Sequence, residues 1–163
     1  MHHQPDGAAF DIVLLFHVGC VVVGLVTTAT AAATATRLRR LVGSRVPLPE
    51  PLLRYFTPGI NWVGRTVYGI PVFGFALLAL SRGADALGQG WVLGGLALFA
   101  GVALVGEAVM WPAERRLQVA LTSTDVTPAA AESLDHDAVA MSRAAAAALV
   151  LLVAGTVLMV AQP

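Results

Sequence analysis

The chain has 163 residues, 57% hydrophobic and 12% charged, with a mean hydropathy of +0.76. A soluble domain carries about 25% charged residues, so this composition excludes an ordinary soluble domain and points to a membrane protein. The formal net charge is +0 and every one of the 10 cations is Arg, so no basic field argues for nucleic acid.

A membrane span needs about 20 mainly apolar residues. Four stretches qualify: roughly Ala9 to Ala35, Pro58 to Leu80, Trp91 to Trp111, and Ala138 to Ala161. The leader "MHHQPDGAAFD" has no Lys or Arg, and the apolar run behind it is too long for a signal-peptide core. The first stretch therefore reads as a retained helix. The expected fold is all-α, a single four-helix transmembrane domain over residues 1–163.

Arg placement sets the expected orientation. Arg37, Arg39, Arg40, Arg45 and Arg54 lie between spans 1 and 2, and Arg115 and Arg116 lie between spans 3 and 4, with Arg143 at the start of span 4. The short loop between spans 2 and 3 has only Arg82. The positive-inside rule puts both longer loops in the cytoplasm and both termini outside, in a multi-pass protein of a bacterial plasma membrane.

The loops carry local signals. "RVPLPEP" has three prolines in five residues, which favours extended chain. "FTPG" predicts Thr57 as an N-cap with Pro58 opening span 2. "VTPAAAE" repeats the pattern, with Thr127 capping a short surface helix before span 4. Asp125, Glu132, Asp135, His136 and Asp137 follow there; they read as a solvated face, with a metal site as the alternative.

Small residues let membrane helices approach closely. Gly90, Gly94, Ala97, Gly101 and Ala108 form one such stripe on span 3. It can pack inside the chain or bury a partner's helix, so other membrane subunits or a second copy are expected partners alongside lipid.

Ionisable residues at membrane depth are costly and call for explanation. Arg65 lies about 10 Å into span 2 and Glu107 about 6 Å into span 3 from the same side, so an ion pair between them is expected. Asn61, Arg65 and Tyr68 are spaced i, i+4, i+7 and would share one helix face. Pro71 removes a backbone donor and would free the carbonyl of Val67. His17 lies about 12 Å into span 1 from the other side, level with Pro71 and near Tyr68. It is expected to bond either Tyr68 or a backbone carbonyl. Cys20, the only cysteine, is one turn from His17, and the two offer ligands to copper or zinc.

"LLFHVGCVVVG" resembles the first-span pattern of small four-helix bacterial membrane proteins grouped around the membrane domain of copper resistance protein D. The nearest resemblance is to an uncharacterised family of predicted integral membrane proteins, a domain of unknown function. "GEAVMWPAERRLQ" is similar to its third-span exit and "VLMVAQP" to its C-terminal end. The group also resembles the small membrane protoporphyrinogen oxidase, which uses a first-span His and a third-span Lys. His17 matches the first. No Lys exists in this chain, and span 3 has Glu107 instead.

No catalytic constellation stands out, so a non-enzymatic accessory or structural subunit of a membrane complex is the first expectation. The alternatives are a haem- or copper-binding protein using His17, and a small transporter or proton path along His17, Tyr68, Arg65 and Glu107.

Overall fold

The computed structural model describes residues 7–42, 44, 47–81, 88–123 and 127–161. Its helices in chain order are α1 (Ala8–Leu41), α2 (Glu50–Tyr55), α3 (Trp62–Arg65), α4 (Gly69–Leu80), α5 (Gly90–Val105), α6 (Trp111–Thr122) and α7 (Pro128–Ala161). No strand occurs among the described residues. Four helical stretches are long and apolar enough to cross a membrane: Ala8–Leu41, Trp62–Leu80, Gly90–Thr122 and Pro128–Ala161. The chain is accordingly a multi-pass membrane protein by its helices. Of the arginines that set the expected orientation, Arg45 and Arg82 lie outside the described residues.

Three expected boundaries move. α1 runs past Ala35 through Arg37, Arg39 and Arg40, two of which complement the helix dipole in the last turn. In its Thr-rich end the hydroxyls are satisfied within their own helix: Thr27 donates to the Val23 carbonyl at 2.8 Å and Thr36 to the Ala32 carbonyl at 2.7 Å. The third span does not stop at Trp111. It continues through a π-helical turn, Gly106–Met110, into α6. Pro112 explains the turn, because its ring would clash with the carbonyl of Ala108 in a regular helix and the widened turn relieves that. The expected surface helix before span 4 is fused with that span as α7. Thr127 does cap it, accepting from the Ala130 N–H at 3.2 Å.

The start of span 2 also differs. Thr57 closes α2 instead of opening a helix, its hydroxyl donating to the Arg54 carbonyl at 2.9 Å. The N-cap is Asn61, whose side-chain oxygen accepts from the Gly64 N–H at 3.0 Å. α2 itself begins inside the proline run, because Pro51 falls in its first turn, where no N–H is needed.

Tertiary contacts divide the chain into two compact units. The first comprises Met1–Thr27, Asn61–Gly101 and Leu151–Pro163. In it Gly94 and Gly101 give α5 close approach to Leu158 and Leu151 of α7, where an added Cβ would come within 2.9 and 3.2 Å of their methyls. That part of the small-residue stripe is thus used inside the chain. Gly90, Ala97 and Ala108 are exposed.

The second unit comprises Thr28–Ile60 and Val102–Val150. Its core is well buried around Leu38, Phe56, Leu117 and Met141. Trp111 is buried and lies over Gly106, where an added Cβ would stand 3.1 Å from the indole. Gly59 has φ 152, a region costly for residues with a Cβ. Its carbonyl accepts from the Gln118 side chain at 3.3 Å, which ties the loop after α2 to α6.

Candidate functional site

His17 is half-buried on α1 in the first unit. Its Nδ1–H donates to the Ile70 carbonyl at 2.9 Å. Of the two expected acceptors, the backbone is the one used. It is the carbonyl of Ile70, just before Pro71, and not that of Val67. A carbonyl has two lone pairs, so Ile70 can serve both its own helix and the imidazole. Pro71 sits in the first turn of α4, where its missing N–H costs little. Gly74, one turn on, makes room for the ring: an added Cβ there would touch His17 Cε1 at 3.4 Å.

This bond sets the tautomer. A carbonyl oxygen only accepts, so Nδ1 carries the proton. In a neutral ring that leaves Nε2 with a bare lone pair, fixed in direction by the anchored Nδ1–H.

His17 lines a cavity of about 440 Å³ in the same unit. This is within the usual small-molecule range of roughly 300–1,000 Å³. Phe10, Phe75, Trp91 and Phe99 supply aromatic walls, with Met159 on α7. Two other lining side chains have polar hydrogens, and both are engaged. The Ser81 hydroxyl donates to the Leu78 carbonyl at 2.9 Å, and the Trp91 indole donates to the Gln89 side chain. With those two hydrogens engaged and no charged side chain in the described lining, the neutral His17 imidazole is the strongest hydrogen-bond acceptor among the lining side chains.

None of the other expected site residues lines this cavity. Cys20 lies against the Gly69 backbone, where its Sγ occupies the space of a Cβ. Tyr68 packs edge-on against Phe99, centroids 6.3 Å apart. Asn61, Arg65 and Tyr68 do not share the face of one regular helix. Asn61 is the cap, Arg65 ends α3, and Tyr68 ends a 3-10 turn, Thr66–Tyr68. Glu107 is exposed in the π-helical turn. Arg65 and Glu107 fall in different units, so their pairing is an expectation carried by the sequence alone.

Among the acidic residues before span 4, Asp137 pairs with Arg116 at 2.8 Å and Asp135 with Arg39 at 3.6 Å. Asp125 lies outside the described residues. No group of three or more His, Cys, Asp or Glu able to hold a metal occurs among the described residues. Haem fits the cavity poorly. Nε2 is a competent iron ligand, but the described lining holds no cation for the haem carboxylates. For copper, the lining adds only the Met159 thioether.

A second polar centre, in the second unit, is not legible in the sequence. Glu114 and Gln118, one turn apart on α6, are buried at 5% and 6% exposure. Burial pushes the Tyr55 phenol well above its ordinary range, and the charge of Glu114 adds to the rise. "ERR" reads as a solvated helix end, and nothing local marks its first residue as inward.

The cavity lining itself had a faint signal. Trp91, Gly95 and Phe99 recur at four-residue steps on α5 and line it together. Comparison with family models, with curated proteins and with solved structures finds no match.

Proposed function

We propose that this chain is a non-catalytic membrane protein that binds a small lipophilic molecule carrying a hydroxyl, in the cavity beside His17. The observation that supports this is the pairing of an anchored imidazole with an otherwise apolar wall. Nδ1 is committed to Ile70, so the ligand meets a hydrogen-bond acceptor. A lipid-soluble quinol, phenol or long-chain alcohol satisfies Nε2 with its hydroxyl and fills the rest of the space with carbon. A charged ligand would find no counter-charge in the described lining.

Leu14, Phe75 and Val160 line the cavity and are exposed. A ligand dissolved in the bilayer can thus enter sideways without crossing water. The bacterial plasma membrane, with the arginine-rich loops inward, is part of the same proposal. A structural role in a larger complex is compatible with it, since the cavity occupies one unit only.

The test is a titration of detergent-purified protein with an alkyl hydroquinone, followed by quenching of tryptophan fluorescence. Saturable quenching is expected, and Gly74→Leu, whose side chain enters the space of the His17 ring, removes it. Quenching that never saturates, or that Gly74→Leu leaves intact, overturns the proposal. A Soret band in the purified protein, lost in His17→Ala, would also overturn it by placing iron on Nε2.

A further inference from the structure

The second unit holds a different site. Three arginines converge on one groove between α1 and α7: Arg37 and Arg40, spaced i, i+3, and Arg143 opposite them. The groove is a shallow, open depression of about 740 Å³, and alanines such as Ala33 and Ala146 form its small-residue walls. No carboxylate lines it.

Three like charges in one place need an explanation, because each repels the others. The acids of α7 do not supply it. Asp135 pairs with Arg39, and Asp137 with Arg116. Glu132 lines a separate groove with Arg116 and His136. Among the described residues, none of Arg37, Arg40 and Arg143 forms an ion pair. The two hydroxyls at the groove are engaged as donors, Thr36 to the Ala32 carbonyl and Ser142 to the Val139 carbonyl at 3.0 Å. The groove therefore presents guanidinium N–H groups, whose fork suits the oxygens of a phosphate.

The groove's place on its helices selects the kind of phosphate. α1 and α7 run antiparallel here, since Arg39 meets Asp135 while the earlier Ala33 shares the groove with the later Ala146. Going back from Ala32, α1 becomes the apolar run "VVVGLV"; going on from Ala146, α7 becomes "AALVLLV". Both apolar runs leave the groove in the same direction. A headgroup held by the arginines would have its acyl chains pointing along membrane-spanning helix surface.

We infer that this groove binds the phosphate of an anionic phospholipid, with Arg37, Arg40 and Arg143 as its donors. Basic pockets of this kind between membrane helices are suited to acidic lipid headgroups.

The test uses the full chain in neutral detergent, titrated with phosphatidylglycerol or phosphatidylcholine and read by native mass spectrometry. Wild type is expected to retain phosphatidylglycerol preferentially. The triple variant Arg37→Gln, Arg40→Gln, Arg143→Gln is expected to bind it on the order of 100-fold more weakly. A control, Arg54→Gln with Arg115→Gln, removes exposed charges outside the groove and is expected to bind as wild type does. Circular dichroism should show equal helicity in all three; because the changed side chains are exposed, loss of helix in the triple variant would itself contradict a surface site. Equal retention of both lipids, or an equal loss in the control, overturns the inference. So does displacement of the lipid by millimolar inorganic phosphate, which would make the free anion the ligand.

Discussion

His17 and Ile70 join α1 to α4 through one hydrogen bond, Nδ1–H to carbonyl, 2.9 Å long. The bond stabilises the first unit, and it also decides which ring nitrogen carries the proton. Replacing His17 by Leu keeps the volume near the ring and removes the donor. Ile70 retains its helix partner, so the expected stability loss is small, about 1 kcal/mol. A thermal melt in detergent measures it. A collapse of the fold would show that His17 is chiefly a structural post.

Cys20 and Gly69 form a second tie between the same helices. Gly69→Ala would place a methyl where the Cys20 Sγ lies, and overpacking of this kind costs about 1–3 kcal/mol. Cys20→Ala in the same chain should restore most of that loss, since the clash is with the thiol. Melting temperatures of the two single variants and the double variant give the coupling. Additive losses would place the strain elsewhere.

Much of this architecture was legible in the sequence, and the reasons differ by element. Length and apolarity alone locate four spans, because a bilayer needs them. His17 was legible as an oddity, and its bond to a backbone carbonyl of span 2 is one of the two outcomes its position allows. The acceptor was not legible, because it depends on where α4 begins. Pro71 signals a break, but Asn61 and the 3-10 turn set the actual phase. The helices of spans 1 and 3 outrun their apolar stretches for a common reason: arginines end an apolar run without ending a helix. The Tyr55–Glu114 centre was invisible because α2 and α6 are distant in sequence.

That centre predicts a pH dependence. The Tyr55 phenol is raised in the folded chain, first by burial and then by Glu114. In the unfolded chain it ionises at about 10. Its contribution to stability is thus complete below about pH 10 and is lost as pH climbs through the folded value. Tyr55→Phe should flatten the alkaline decline of the melting temperature. Absorbance at the phenolate band should show one of the two tyrosines ionising only with unfolding. Superimposable pH curves for variant and wild type would contradict this.

The loop before span 2 gives a backbone prediction. Gly59 has φ 152 and turns its carbonyl toward Gln118. A Cβ there meets no atom within 4 Å, so any cost of Gly59→Ala comes from the backbone and not from crowding. A loss of about 1–3 kcal/mol is expected, read from melting in detergent. Gln118→Ala should cost less, because the bond is long at 3.3 Å. The reverse order would mean that the hydrogen bond, and not the backbone, holds this loop.

The central claim is that Nε2 of His17 accepts a hydrogen bond from a lipophilic hydroxyl. An alkyl hydroquinone and its dimethyl ether have nearly the same shape, and only the first can donate. Affinities of both for the purified protein measure the claim directly. Wild type should favour the hydroquinone by up to roughly tenfold, the worth of one hydrogen bond, and His17→Phe should bind the two alike. Equal affinities in wild type, or a preference that survives in His17→Phe, would contradict it.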